Sequence, residues 1–97
     1  MKGADYVGRR RDANEPDIVR VYETVGAVVI RMNDPSDLLV GYRYRWILVE
    51  VKDGSKPPSA RKLTKNEEEF QGLCRLKGLP YYVVETTDDA LRSLGLG

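Results

Sequence analysis

Apolar residues along the chain follow two periods, one typical of helices and one typical of strands. The first apolar stripe has helical spacing, follows an expected N-cap at Asn14, and ends at Gly26. Its apolar residues are Ile18, Val21, Tyr22 and Val25. This pattern predicts an amphipathic helix with Glu15 and Pro16 in its first turn. Glu15 lies three residues before Ile18, so its carboxylate is expected at the start of the buried stripe, facing the sheet.

Three short runs after this helix are rich in β-branched residues and predict strands. Residues 27–32 form the first, which we expect to be largely buried. After a turn, residues 37–41 and 47–52 predict the two strands of one hairpin, with its loop centred on Arg43 and Tyr44. A loop of two or four residues would also place Gly41 opposite Trp46, whose indole would cover the space above the glycine.

A loop, a helix, a strand and a short final helix follow the hairpin. Residues 53–62 contain the glycine and prolines of a loop, and Thr64 and Glu67 match the capping box of a helix. Residues 81–84 predict a fourth strand, and residues 87–91 begin the last helix. The element order α-β-β-β-α-β-α predicts an α/β fold with a mixed four-stranded sheet flanked by helices.

The predicted hairpin brings three polar side chains to one face. Antiparallel pairing places Asp37 opposite Glu50, and directly opposed side chains project from the same side of a sheet. Lys52 follows Glu50 by two positions and therefore projects there as well. Two carboxylates and an ammonium group among aliphatic neighbours are costly unless a cation, such as a metal ion, lies between them. Metal-dependent phosphodiester cleavage needs this arrangement.

Each of these residues also has a simpler explanation. Alternating charge, as on Glu50 and Lys52, is ordinary on a solvated edge strand, and Asp37 follows a turn, where Asp is common. An acidic residue such as Glu15 stabilises the first turn of any helix. The face opposite Glu50 is apolar, however, and Trp46 shares the face of Glu50, which leaves no polar side for a solvated edge strand. The apolar face comprises Leu38, Val40, Ile47, Val49 and Val51.

The spacing of the polar residues resembles a nuclease signature. Pro35, Ser36 and Asp37, a gap of twelve residues, and then Glu50-Val51-Lys52 are similar to the PD-(D/E)xK motif, with Ser36 inserted between the usual Pro and Asp. The stretches at residues 12–19, 38–41 and 50–64 resemble small phage and prophage proteins related to the VRR-NUC and Holliday-junction-resolvase branches of that superfamily. The resemblance covers most of the chain.

This resemblance implies a restriction-endonuclease-like core and hydrolysis of DNA phosphodiester bonds that depends on Mg²⁺ or Mn²⁺, with no small-molecule cofactor. The ion would be bound by the carboxylates of Asp37 and Glu50 and by the main-chain carbonyl of Val51, all of them hard oxygen ligands. Lys52 would position the attacking water or help to deprotonate it. Glu15 would hold a second ion or orient Lys52.

Composition limits the surface that can bind DNA. Charged residues make up 32% of the 97 residues but nearly cancel to a net charge of +1, so a DNA-binding surface must be a local patch. The candidates are Lys56, Arg61 and Lys62 beside the site, and Arg43 and Arg45 at the hairpin tip, where charge also keeps a turn soluble. The absence of His excludes His-based acid–base catalysis and the HNH type of nuclease, and a single Cys excludes an internal disulfide.

The length is that of one compact domain. Residues 1–13 predict a flexible basic arm, either a solubilising tail or a DNA contact, and residues 14–97 predict a single nuclease-like domain. No apolar run has membrane-spanning length and no signal peptide is evident, so we expect a cytoplasmic protein, in the bacterial host cell if a phage encodes it. An enzyme this small is expected to form a homodimer, through Tyr81, Tyr82 and residues 94–96.

Two other functions stay open on the sequence alone. A catalytically silent module would use the same fold to bind DNA or a recombination or replication partner, and a structural or regulatory phage protein would bind no nucleic acid. The presence of Asp37, Glu50 and Lys52 favours the nuclease. A junction, a flap, a nick and plain duplex offer the same phosphate; the resemblance, rather than any residue, favours branched or junction DNA.

Overall fold

The computed structural model describes residues 11–97, in which helices and strands alternate around one sheet. The helices are α1 (Glu15–Thr24), α2 (Pro58–Arg61), α3 (Lys65–Lys77) and α4 (Thr87–Ser93). The strands are β1 (Val28–Arg31), β2 (Leu38–Tyr42), β3 (Arg45–Val51) and β4 (Tyr81–Val84). The order agrees with the sequence pattern except for α2, a four-residue helix inside the segment predicted to be a loop.

The four strands form one mixed sheet in the order β1-β2-β3-β4. The first three are antiparallel neighbours in sequence, whereas β4 pairs with β3 in parallel after the chain has crossed through α2 and α3. A parallel neighbour requires such a crossover, because a tight turn can only reverse the strand direction. The prediction of an α/β fold with a mixed four-stranded sheet flanked by helices is confirmed.

The hairpin between β2 and β3 has the predicted two-residue turn. Arg43 and Tyr44 both adopt left-handed conformations, with φ of 49° and 69°, which suits the twist of a tight hairpin. This turn pairs Gly41 with Trp46, and three ring atoms of the indole lie 2.8–3.0 Å from the position that a Cβ of Gly41 would occupy. The register that depends on this turn therefore follows the sequence prediction.

One face of the sheet carries the core. It packs against α1 and α4, and its centre is formed by Ile18, Tyr22, Leu38, Val40, Ile47, Val49, Val51 and Val84. The Tyr22 hydroxyl lies 2.8 Å from the Ser93 hydroxyl, so the one polar atom of this buried ring has a partner on α4. The opposite face is covered less completely, with the ring of Phe70 on α3 packed edge-on against Tyr81.

Strand β1 departs from the prediction that it is largely buried. It forms an edge of the sheet, and the side chains of Val28 and Ile30 are 56% and 43% exposed. These residues pair with Gly41 and Leu39, so they lie on the incompletely covered face of the sheet. A β-branched run predicts a strand, but its burial depends on the sheet order, which the run does not encode.

The start of α1 is fixed differently from the prediction. Asn14 occupies the N-cap position, yet its side chain makes no capping hydrogen bond. Instead its amide donates to the carbonyl oxygens of Lys52, at 2.9 Å, and Glu85, at 2.8 Å. Asn14 thereby ties the first turn of α1 to the chain just after β3 and β4, and brings Glu15 to that end of the sheet.

Exposed apolar side chains lie elsewhere than the predicted contact surface. Tyr81, Tyr82, Leu94 and Leu96 are half-buried. The exposed leucines are Leu73 and Leu76 on α3, and Leu79 just beyond it. Among residues 11–97, no helix has the length and apolar character needed to cross a membrane.

Candidate functional site

Two buried carboxylates meet where β2 begins and β3 ends. The pairs Leu38 with Val49 and Leu39 with Leu48 extend by one step to Asp37 opposite Glu50. Asp37 anchors this end of the hairpin, since its Oδ2 accepts a hydrogen bond of 2.8 Å from the main-chain amide of Val51. Both acids are almost inaccessible to solvent, at 6% and 4% exposure. The hairpin register therefore brings these two predicted site residues together.

The surroundings of Glu50 disfavour its charge. Burial raises the pKa of the Glu50 carboxyl well above its usual value, and the neighbouring carboxylates of Asp37 and Glu67 raise it further. Acids crowded away from water share protons or bind a cation, because charge repulsion and reduced hydration act in the same direction. The pair is therefore suited to a bound cation.

Lys52 lies beside these acids with its ammonium group held from two sides. Its Nζ is 2.8 Å from Oε1 of Glu67 and 3.9 Å from Oε2 of Glu50, and the side chain is largely buried. The two contacts fix the ammonium group next to Glu50. Lys52 thus lies with Asp37 and Glu50, as predicted.

Glu67 is a member of the cluster that the sequence identified only as a capping residue. Its Oε1 accepts hydrogen bonds from the Thr64 amide and from Lys52, so the capping box that begins α3 also holds the lysine. Burial alone would raise the pKa of the Glu67 carboxyl, but the hydrogen bonds from Lys52 and the Thr64 amide lower it overall. The capping-box spacing predicts that the Glu67 carboxylate turns toward the Thr64 amide. It does not predict that Lys52 reaches the same carboxylate.

Glu15 lies at the edge of the cluster and is bound by two arginines. Its Oε1 is 3.3 Å from Nη1 of Arg11 and its Oε2 is 3.1 Å from Nε of Arg31. Burial raises the pKa of the Glu15 carboxyl; the Arg11 charge opposes this shift, and the Asp37 charge adds to it. Nη1 of Arg11 is also 3.7 Å from Oδ1 of Asp37, so a guanidinium joins the two acids.

Arg11 is the second participant that the sequence missed, since it falls in the predicted arm. Besides its contacts with Glu15 and Asp37, its Nη2 donates a hydrogen bond of 2.7 Å to the carbonyl oxygen of Met32. No sequence signal pointed to this contact, because Arg11 precedes the helix and a spacing of four brings side chains together only within a helix. The remainder of the predicted arm, residues 1–10, lies outside the described residues.

The main-chain carbonyl of Val51 also faces the acids. In an extended strand the N–H and C=O of one residue point to the same side, and the Val51 amide points to Asp37. The next amide, of Lys52, donates the other way, to the carbonyl of Val84 at 3.0 Å. The Val51 carbonyl is therefore directed to the side of β3 on which Asp37 lies.

These three donors fit a hard divalent cation. Mg²⁺ keeps several waters and is usually bound through one or two carboxylates, so Asp37, Glu50 and the Val51 carbonyl supply enough protein ligands. Within residues 11–97 no group of three acidic side chains is placed to hold a metal ion, and Glu15 is bound by Arg11 and Arg31. A cavity of about 260 Å³ lies beside the pair and is lined by Glu50 and Glu67 but not by Asp37.

The predicted DNA-binding cations fall into two groups. Lys56, Arg61 and Lys62 lie in the segment after β3, where Lys56 Nζ is 2.9 Å from Asp12 and Arg61 donates to the Lys56 carbonyl. Arg43 and Arg45 lie at the opposite end of the hairpin. Six residues at about 3.3 Å each separate them from the carboxylates by ~20 Å, so they do not belong to the same cluster.

No family model matches the chain, and no curated protein or solved structure matches it significantly. A function must therefore be argued from the residues themselves.

Proposed function

We propose that this chain is a metal-dependent endonuclease that hydrolyses DNA phosphodiester bonds, with a PD-(D/E)xK-type site. The observation that carries the proposal is the buried Asp37–Glu50 pair, with the ammonium group of Lys52 3.9 Å from Glu50. A structural role explains a buried acid with a cationic partner, but two acids opposed across a hairpin destabilise it. Such a cost is typical of a functional site.

The fold supports the same assignment. A mixed sheet with a hairpin, a crossover helix and a parallel fourth strand fits a restriction-endonuclease-like core, in which the hairpin carries the acids and the lysine. On this proposal Asp37, Glu50 and the Val51 carbonyl hold Mg²⁺ or Mn²⁺. When bound, the ion lowers the pKa of a water ligand and neutralises charge on the scissile phosphate.

The chain's own residues position the reacting groups. Glu67 and Glu50 hold Lys52, whose ammonium group orients the attacking water and stabilises the negative charge that develops on the phosphate oxygens. Arg11, between Glu15 and Asp37, must leave Glu15 before that acid can bind a second ion or orient Lys52. Lys56, Arg61 and Lys62 grip the DNA backbone without selecting a sequence.

The test is cleavage of a panel of linear, nicked, flapped and four-way-junction DNAs in Mg²⁺ or Mn²⁺. We expect cleavage of branched DNA, abolished by Asp37→Asn, Glu50→Gln and Lys52→Ala, with DNA affinity within a few-fold of wild type for Lys52→Ala. The matched control is Glu69→Gln, an exposed acid on α3, which should cleave normally. Wild-type rates in Glu50→Gln would reject the proposal.

The same DNA panel tests the backbone grip. Replacing Lys56, Arg61 and Lys62 together by Ala should weaken binding and reduce its salt dependence, by roughly one unit of log–log slope for each phosphate that the variant no longer neutralises. If this variant binds like wild type at every salt concentration, the grip is assigned to the wrong residues.

One observation favours a second function. The Arg11 guanidinium bridges Glu15 and Asp37, and a cation built into the chain compensates acids without any metal. The alternative is therefore a catalytically silent module that binds DNA or a recombination or replication partner. Binding of the DNA panel with no cleavage in either metal would support it.

A further inference from the structure

The tip of the β2–β3 hairpin exposes two aromatic side chains between two arginines. Tyr44 is fully exposed, at 109% of the reference area, and the side chain of Trp46 is 51% exposed. Arg43 and Arg45 flank Tyr44 in sequence. An exposed apolar patch rimmed by polar groups is typical of an interaction site, so this end of the hairpin is a candidate binding surface.

The two turn residues are unusual for the backbone conformation that they adopt. Arg43 and Tyr44 both have positive φ, at 49° and 69°, where Asn and Gly are the favoured residues of a two-residue hairpin. Neither is needed to close the turn, and each is held in a conformation that costs backbone energy. The side chains, rather than the turn geometry, are what these two positions contribute.

The cations and the indole are held in place by neighbours. The guanidinium carbon of Arg43 lies 5.0 Å from the centre of the Tyr42 ring, and Nη2 of Arg45 donates a hydrogen bond of 3.1 Å to the Tyr82 hydroxyl. The Trp46 ring lies against Gly41, where any side chain would collide with it. These groups are therefore ordered before a ligand arrives, which lowers the entropy cost of binding.

An open groove of about 370 Å³ runs along this end of the sheet. Its lining residues include Tyr44, Trp46, Arg43 and Arg45, together with Tyr42, Val28 and two glycines, and none of them is acidic. Tyr42 and Tyr82 pack against the core, so the contacts that Arg43 and Arg45 make with these rings place both guanidinium groups on the face opposite Trp46. The volume lies within the usual range for small-molecule sites. Flat rings with nearby guanidinium groups match a nucleotide, whose base stacks and whose phosphate carries negative charge.

We propose that this hairpin tip binds an unpaired stretch of DNA strand that crosses it, with a base stacked on Trp46 and Tyr44 and with phosphates bound by Arg43 and Arg45 on the opposite face. The bases of intact duplex are stacked on each other and offer no face to these rings. That the bound strand is DNA follows from the proposed function, so this part of the inference rests on it. The ~20 Å between tip and carboxylates spans about six base pairs, so the substrate is a branched or flapped DNA with unpaired bases about half a turn from the cleaved bond.

A second copy of the chain is the competing occupant. A two-fold contact brings the same patch of both copies together, so Arg43 and Arg45 would face their own counterparts across an apolar surface with no acidic lining residue. That repulsion disfavours self-association here.

The protein carries its own probe, because Trp46 is the only tryptophan of the sequence. We would titrate the full chain in EDTA with oligo(dT) of about 20 nucleotides and with a blunt duplex of equal length, following tryptophan emission. Oligo(dT) should quench the emission saturably, and duplex should quench it much less. Tyr44→Gly, which relieves the left-handed strain and should not lower the melting temperature, should weaken oligo(dT) binding by about 5- to 150-fold.

The matched control is Arg20→Gln, an exposed arginine on α1, compared with Arg43→Gln. Only Arg43→Gln should reduce the salt dependence of binding. Equal quenching by duplex, no quenching by oligo(dT), or wild-type affinity in Tyr44→Gly would overturn the inference. A shift of the tryptophan emission with protein concentration in the absence of DNA would also overturn it, because it would indicate that a second copy covers the tip.

The titration is independent of cleavage, since EDTA removes the metal and Asp37→Asn should quench like wild type. Quenching without cleavage in Mg²⁺ or Mn²⁺ would reject the nuclease and keep the strand-binding site. Cleavage in Mg²⁺ or Mn²⁺ without quenching would keep the nuclease and reject the strand-binding site.

Discussion

At the scale of single residues, the site is a compromise between charges that attract and charges that repel. Lys52 and Glu67 form a close pair, and Arg11 and Arg31 bind Glu15. Asp37 and Glu50 oppose each other in a place that excludes water. The folded chain therefore tolerates an unfavourable pair at one point, and any ion that binds between these acids should stabilise the fold.

We accordingly expect Mg²⁺ or Mn²⁺ to raise the melting temperature. At an ion concentration ten times Kd the stabilisation is about 1.4 kcal/mol, or roughly 6–11 °C for a domain of this size. Asp37→Asn and Glu50→Gln should each abolish the response, and Glu69→Gln, on the exposed side of α3, should keep it. Thermal melts with and without metal measure this; an unchanged response in both site variants would contradict the metal assignment.

At the scale of elements, the features that could be predicted from the sequence depend on residues close together in the chain. The register of the hairpin follows from a two-residue turn and the alternation of side chains, so Asp37, Glu50 and Lys52 could be grouped from sequence. The exposure of Val28 could not, because it depends on which strand lies at the edge. The contact between Lys52 and Glu67 could not either, because it depends on where the chain returns after α2.

The stability of the start of α4 should depend on pH through one capping carboxylate, that of Asp89. Asp89 Oδ2 accepts hydrogen bonds from the amides of Glu85, at 3.0 Å, and Thr86, at 3.2 Å. Burial alone would raise the pKa of the Asp89 carboxyl, but these hydrogen bonds and Arg92 lower it overall. Its ionised form therefore stabilises the fold above the ordinary pKa of 3.8, and this stability is lost as pH falls through the lower pKa of the folded state.

Asp89→Ala should reduce the free energy of unfolding by about 1 kcal/mol at pH 7, the usual cost of removing a helix cap. The difference from wild type should narrow at pH 3, which lies below the ordinary pKa of 3.8, because there the carboxyl of the unfolded chain is mostly protonated. Urea unfolding at both pH values gives the two differences. Asp88→Ala, in the same helical turn, is the control and should change stability less. An equal loss from Asp89→Ala at both pH values would rule out an electrostatic origin.

At the scale of the whole molecule, the described surface has an apolar strip on the outside of α3. Leu73 and Leu76 lie three residues apart on this helix, and Leu79 follows just after it; all three are exposed. Tyr81, Tyr82 and residues 94–96, the contact surface predicted from the sequence, are half-buried apart from Gly95, so we expect the strip to contribute most of the contact. Exposed apolar groups arranged along one helix are typical of an interface.

The charges on α3 indicate that a second copy would fit this strip. The exposed Glu68 lies in the first turn of the helix, and Arg75 and Lys77 lie in its last turn. A two-fold axis perpendicular to α3 would align the two helices antiparallel, so that the acidic start of each helix faces the basic end of the other. A branched substrate with two scissile strands also matches two sites related by such an axis.

We therefore expect a homodimer that buries the α3 strip, with one Asp37–Glu50–Lys52 site in each copy. Leu76→Glu would set two carboxylates into the centre of the contact, and the cost of burying charge should shift the protein to monomer. Arg20→Glu, an exposed change on α1, is the matched control and should leave the dimer intact. Light scattering over a range of protein concentrations, with and without DNA, measures the mass. A monomer at the highest concentration under both conditions would reject the dimer, and a Leu76→Glu dimer would show that the interface lies elsewhere on the molecule.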